Sequence, residues 1–258
     1  MSKGSVEGLY RYPVKGLSGE RVDALSLMAG EGVEHDRTIG FLRPHIPFDE
    51  AAPKSLQKTC FYMLARDAAL AQLSTRYDPQ SDALTIERNG SGEAYDLSTT
   101  KGVSGAERAI QSALSLPDEA RPRLVRGGAH RFTDVSVVSE TFMNAISLIN
   151  LASVRDLGRR IGAQVDPLRF RGNIVFDGWP AWSELEGEGR TIAIGDVRLK
   201  VLLRTQRCAA TTVNPATAQR DLFIPKHLMD EYGHADMGIY AEVLSGGTVK
   251  PGDAITLE

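Results

Sequence analysis

Hydrophobic and polar positions along this chain alternate mostly with a two-residue period, and glycine or proline interrupts them often. Val6 to Val14 is a short apolar–polar segment that meets Pro13 near its end, as an edge strand does. Arg21 to Leu27 and Thr38 to Leu42 read as further strands. Ala83–Glu87 and Glu93–Leu97 flank Asn89-Gly90-Ser91-Gly92, a hairpin signal. The β pattern resumes at Leu124–Arg126, Val135–Val138, Ala145–Ile149 and Asn173–Phe176. It ends with Thr191–Ile194, Val197–Leu203, Ile239–Leu244 and Ala254–Leu257, with Gly195-Asp196, Gly246-Gly247 and Pro251-Gly252-Asp253 as turns.

Helical spacing is rarer. Met63 to Leu73 and Ser104 to Leu116 fit it, the second stopped by Pro117. Leu151 to Ile161 fits it best: Asn150 can cap its start, Gly162 ends it, and Leu151, Val154, Leu157 and Ile161 share one face. Lys226 to Tyr232 is a short fourth helix. Many short strands with few helices predict an α+β, β-rich fold, barrel-like with peripheral helices. Pro117 to Arg123 is the best linker, which divides the chain into 1–120 and 121–258.

Composition narrows the chemistry. The 258 residues are long enough to bury roughly 70–75% of the unfolded surface. A net charge of −3 without long like-charge runs argues against a nucleic-acid or membrane-surface partner. Two cysteines, Cys60 and Cys208, exclude a four-cysteine zinc or iron–sulfur site and fit a reducing compartment. No signal-peptide core and no membrane-length apolar stretch is present, so a cytoplasmic location is expected.

Cys208 follows an apolar strand in Leu203-Arg204-Thr205-Gln206-Arg207-Cys208-Ala209-Ala210-Thr211-Thr212-Val213-Asn214-Pro215. A lone cysteine is most often a small buried hydrophobe, and Cys60, among Thr59, Phe61 and Tyr62, is read that way. Beside Cys208, however, Arg207 favours the thiolate, the form that binds soft metals or attacks electrophiles. Other polar groups sit at strand ends or in loops: Lys15, Asp36-Arg37, Asn150 with Ser153, and Arg169-Phe170-Arg171-Gly172-Asn173. Each has a plain reading as a surface charge, ion pair, turn or helix cap. Together they would furnish an anion pocket, because arginine grips phosphate bidentately and a helix start offers free N–H groups.

These motifs, in this order, resemble the MOSC proteins, named for the C-terminal domain of molybdenum-cofactor sulfurase. The resemblance runs from Tyr12-Pro13-Val14-Lys15, Gly19-Glu20, Gly32 and Asp36-Arg37 through Ala152-Ser153-Val154 and Arg169 to Val175. It is most specific at Arg207 to Pro215 and closes with Gly238-Ile239-Tyr240 and Gly252-Asp253. It implies an N-terminal β-barrel subdomain over 1–120 and a MOSC domain over 121–258. It implies molybdenum–molybdopterin as cofactor, with Cys208 as metal ligand. Lys15, Arg37, Asn150, Ser153, Arg171, Asn173, Arg207 and Thr211 would hold the pyranopterin and its phosphate. Departures are Gly16 where a serine usually follows the lysine, Gly172 for proline, Asn214 for aspartate and Ala218 for glycine.

The resemblance implies reduction of small N-hydroxylated substrates. His234 and Asp236, with Tyr240 nearby, are candidates for the proton donor, and His234 has the most suitable ordinary pKa. No dinucleotide fingerprint is present, so electrons would come from a separate flavin or iron–sulfur reductase. A sulfur-carrier or cofactor-carrier role, with a persulfide on Cys208, uses the same thiol.

Overall fold

Burial along the strands shows why the chain closes on itself. In the computed structural model, which describes residues 3–258, the ring strands each turn one apolar face to a common core, with β9 and β10 covered on the other face as well, and matching the inner faces rolls the sheet into a ring. Met1 and Ser2, where the search for a leader began, lie outside the described residues. The N-terminal half supplies β1 (Lys3–Arg11), β2 (Glu20–Val22), β3 (Leu25–Leu27), β4 (Ile39–Leu42), β5 (Leu73–Asp78), β6 (Ala83–Arg88), β7 (Ser91–Asp96) and β8 (Arg123–Arg126). The remainder supplies β9 (Ile146–Asn150), β10 (Ile174–Asp177), β11 (Thr191–Ile194), β12 (Val197–Gln206), β13 (Asp236–Ser245), β14 (Gly247–Val249) and β15 (Ala254–Leu257). Four helices surround them: α1 (Thr100–Ala113), α2 (Glu140–Met143), α3 (Leu151–Ile161) and α4 (Ile224–Tyr232).

The strand order β10-β9-β13-β12-β11-β15-β1 returns to β10, giving a closed seven-stranded barrel with β2 attached outside β1. The fold is α+β and strand-rich, as the spacing of strands and turns predicts. Inside, Val6, Leu148, Ile174, Phe176, Leu199, Val201, Ile239 and Ile255 form one core, each contributing about 1.5–3 kcal/mol by leaving water. Among the described strands only β9 and β10 pair with each other in parallel, and α3 makes the crossover between them. Asn150 caps α3 and Gly162 ends it in the left-handed conformation, as the sequence indicates.

A second core forms where the β5-β6-β7 meander packs on α1, around Leu73, Leu84, Ile86, Ala106 and Ile110. Strand pairings cross the 120/121 boundary four times: β1 with β10 and with β15, β3 with β14, and β4 with β8.

Three segments differ from their sequence pattern. Met63–Leu73 is not an α-helix: the Asp67 carboxylate takes the Met63 N–H, a 3-10 turn covers Ala68–Gln72, and Leu73 enters β5. Val135–Val138 is a run of turns, since no strand edge lies beside it and both Val137 and Val138 are exposed. Helix α1 starts four residues earlier than expected, capped by Thr99. Its two glycines permit this, because a Cβ at Gly105 would lie 2.6 Å from the Tyr95 ring and one at Gly102 1.9 Å from the Asp96 carbonyl oxygen.

Candidate functional site

The long pair β12–β13 sets the site. Three irregularities in its register bend the ladder towards the end of β12. There Arg207 still bonds to the Ala235 carbonyl, and Cys208 leaves the sheet to start a 3-10 turn over Ala209–Thr212. Gly238, opposite, has φ +74, and a Cβ there would lie 2.4 Å from the Leu148 carbonyl and 3.3 Å from the Arg207 guanidinium. Only glycine lets Arg207 cross at this point. Arg220 clasps the Cys208 turn to the N-terminal half, donating to Ala209 and Thr212 on one side and to Leu64 and Ala65 on the other.

Cys208 is half-buried in the wall of a cavity of about 470 Å³ at this barrel end. Lys15, Arg37, Arg171, Asn173, Arg207 and Thr211 line the same cavity. The charged lining is seven cationic side chains against one carboxylate, Asp134.

Each cation is fixed by the surrounding fold. Arg37 and Arg171 both adopt left-handed backbone conformations, φ 56 and 53, each costing about 1 kcal/mol for a residue with a Cβ. Their guanidinium groups stack on Tyr12, at 4.8 and 4.4 Å from the ring centre. Burial pushes the Tyr12 phenol up to about 12, so the ring stays neutral. Asp36 receives the Tyr12 N–H at 2.7 Å, the Asn173 amide at 3.1 Å and Arg37 by a short contact. Burial works to lower Arg37, but the Asp36 carboxylate holds it above its ordinary value. Arg171 is different. It bonds only to the Leu17 carbonyl, and burial with the charge of Arg37 lowers it to about 10. Arg207 bonds to the Met237 and Phe170 carbonyls and burial lowers it to about 10. Both remain cations at neutral pH without a carboxylate partner.

Lys15 is buried, although a lysine after a strand is usually a surface charge. Its Nζ donates to the Phe132 carbonyl at 2.7 Å and to Asp134 at 2.6 Å, and burial lowers its pKa. Asn173 is committed to protein partners, and the Thr211 hydroxyl donates to the Cys208 carbonyl.

Four sequence-read residues do not line this cavity. Asn150 and Ser153 are fully buried against Glu184, to which they donate at 2.9 and 2.7 Å. Their position follows from α3, which starts on the far side of β9 and turns its first residues onto the Pro180–Glu184 segment. His234 and Asp236 also stand apart: His234 Nδ1 accepts the Asp236 N–H, and its ring packs with Tyr232 and Trp182. Of the three residues weighed as proton donors, Tyr240 lines the cavity. Burial raises its pKa, so it is a neutral phenol.

Lys58, Asp134, Ser147 and Thr205 line the cavity and were not read from the sequence. Ser147 interrupts the apolar stretch Ala145–Ile149, which is the signal that marks it; Thr205, between Arg204 and Gln206, carries none. Among the described residues, the hydroxyls of Ser147 and Thr205 and the Nε of Arg169 are buried without a hydrogen-bond partner. All three residues line this cavity. Unsatisfied buried groups beside half-buried arginines without a carboxylate suit a polar, phosphate-bearing ligand. No group of three or more His, Cys, Asp or Glu among the described residues is placed to hold a metal by protein ligands alone. The donor set therefore fits a metal that arrives on its own anionic organic ligand and takes one thiolate from the chain.

The chain belongs to the MOSC family: the MOSC domain model matches residues 127–256. It is similar to the mitochondrial amidoxime-reducing component 1 of Homo sapiens, 28% identical over 149 residues. That match spans 53% of this chain and 44% of the human protein, less than half the relative's length. It is also similar to the mitochondrial amidoxime reducing component 2 of Bos taurus, 26% identical over 98% of this chain and 82% of that one. Among solved structures, the YUAD protein from Bacillus subtilis aligns with a TM-score of 0.46 at 15% identity, over 99% of this chain and 95% of that one. No helix among the described residues is long and apolar enough to cross a membrane.

Proposed function

We propose that this chain is a molybdenum-cofactor oxidoreductase that reduces N-hydroxylated compounds, with Cys208 as the protein's ligand to the metal. The observation that carries the reading is a half-buried thiol in a cavity with seven cationic side chains, two of them half-buried arginines with no carboxylate partner. Membership of the MOSC family and likeness to amidoxime-reducing components support it.

In this reading Lys15, Arg37, Arg171 and Arg207 neutralise the cofactor's phosphate and pterin oxygens, while Ser147, Thr205 and Arg169 Nε take the remaining polar contacts. Asn173 holds Asp36, and through it Arg37, in place. The bound molybdenum supplies a two-electron step, R–NHOH + 2e⁻ + 2H⁺ → R–NH₂ + H₂O. Tyr240, neutral and in the cavity, takes the proton-holding role, since His234 and Asp236 do not line it. A separate flavin or iron–sulfur reductase supplies the electrons.

Molybdenum and pterin are measured on protein expressed with ample molybdate, together with turnover of a benzamidoxime using an artificial donor. Near-stoichiometric metal in the wild type and Cys60→Ser, with loss in Cys208→Ser, is expected. A well-folded wild type that binds neither metal nor pterin rejects the reading. Stoichiometric sulfur on Cys208 without turnover assigns the carrier role instead.

A further inference from the structure

A second cavity, of about 690 Å³, adjoins the first and shares Leu64, Arg169, Arg171 and Ala210 with it. It lies between the turn leading into β5, the β6–β7 hairpin tip and the Val213–Thr217 loop. Leu17, Leu73, Val213 and Pro215 give it an apolar wall. Its charged lining is Arg88, Arg169 and Arg171, with no aspartate or glutamate; Arg169 is ion-paired at 2.6 Å to Asp221 behind the wall, so Arg88 and Arg171 carry the cavity's positive charge. Arg169 is 5% exposed, and its Nε has no partner. Tyr12, on which Arg171 stacks, lines it as well.

We propose that this second cavity binds planar aromatic acids and holds the body of the substrate, an N-hydroxylated aromatic compound carrying a carboxylate. The substrate assignment rests on the function proposed above; the binding assignment does not. Apolar walls accept a flat ring by excluding water from it, and a guanidinium plane adds stacking. Two cations without a carboxylate partner, Arg88 and Arg171, select an anion and reject an amidinium. Ala210 lies two residues beyond Cys208 and lines both cavities, so the reactive end of a molecule seated here enters the first cavity past Ala210.

Calorimetric titration of the protein with 2-naphthoate and with the cationic 2-naphthamidine tests the site without turnover. Naphthoate should bind and naphthamidine should not. Ala216→Trp, at an exposed position on the cavity lip, should abolish naphthoate binding. Arg88→Glu, also exposed, should weaken it about fivefold, the size expected of an exposed charge pair. On cofactor-loaded protein, kcat/KM for 4-carboxybenzamidoxime should exceed that for a benzamidoxime bearing an aminomethyl group, and Arg88→Glu should narrow that ratio. Equal binding of both naphthalenes, or naphthoate binding untouched by both variants, overturns the site. Selective binding with no reduction of any N-hydroxylated compound keeps the site and rejects the function. Turnover with a ratio unmoved by either variant keeps the function and rejects the substrate assignment.

Discussion

Two buried polar clusters flank strand β9, and they differ in whether their groups satisfy one another. On one side Asn150, Ser153 and Glu184 close on themselves. The carboxylate accepts from both side chains, Asn150 also donates to the Pro180 carbonyl at 3.0 Å, and the Ser153 hydroxyl accepts from the Trp182 N–H at 2.8 Å. On the other side Arg171 and Arg207 have no carboxylate, and Ser147, Thr205 and Arg169 Nε have no partner. A closed network serves the fold, because any removal leaves a buried group unpaired. An open one costs stability and persists where an outside molecule completes it.

The comparison breaks first at Asn150. Asn150→Ala removes the α3 cap and a donor to Glu184, and should cost about 3 kcal/mol in urea unfolding, with cofactor content per folded molecule unchanged. A loss of cofactor without a loss of stability would move Asn150 into the functional cluster. Arg171→Met should do the reverse. It keeps an apolar stem on Tyr12 and should weaken inorganic phosphate binding about tenfold, or ~1.4 kcal/mol, by calorimetry. Unfolding free energy should move by less than about 1 kcal/mol, since a half-buried cation without a carboxylate partner adds little to stability.

A pH titration sharpens the contrast. Burial raises the Glu184 carboxyl above its ordinary 4.5, against the donors Asn150 and Ser153. A raised folded value favours the protonated form in the folded state. Its contribution is fully present below pH 4.5 and is lost as pH rises through the folded value. Relative to Glu184→Gln, the wild type should therefore gain stability on acidification towards pH 4.5 and then run parallel. Identical profiles would deny the closed cluster its carboxylic acid. The smallest effect belongs to His234→Ala, which should change benzamidoxime turnover less than about twofold, since a proton donor outside the cavity cannot reach substrate. Tyr240→Phe in the same assay should lower turnover more.

Chemistry was legible where a residue type is unusual for its setting. Cys208 beside Arg207, and the arginines around Gly172, stand out in any reading of the chain. Asn150 and Ser153 mislead because a helix start looks the same whether it faces a ligand or a buried glutamate; only the direction of α3 decides. Lys58 and Asp134 are ordinary surface-type residues in sequence, and tertiary packing alone brings both beside Lys15. The strands after residue 190 followed their alternation closely, since one face of each meets the barrel core. Between 63 and 73 the apolar spacing fits a helix equally well, and a single carboxylate, Asp67, tips it to a turn.

Closure of the barrel by β1 sets the order of events during synthesis. β1, the first of the described strands, is flanked by β15, the last of them, and by β10 from between. Until Ala254–Leu257 leaves the ribosome, Lys3–Arg11 lacks one neighbour and the ring stands open at a seam. Sealing so distant a pair is entropically slow, so β1 keeps a bare strand edge until β15 joins it.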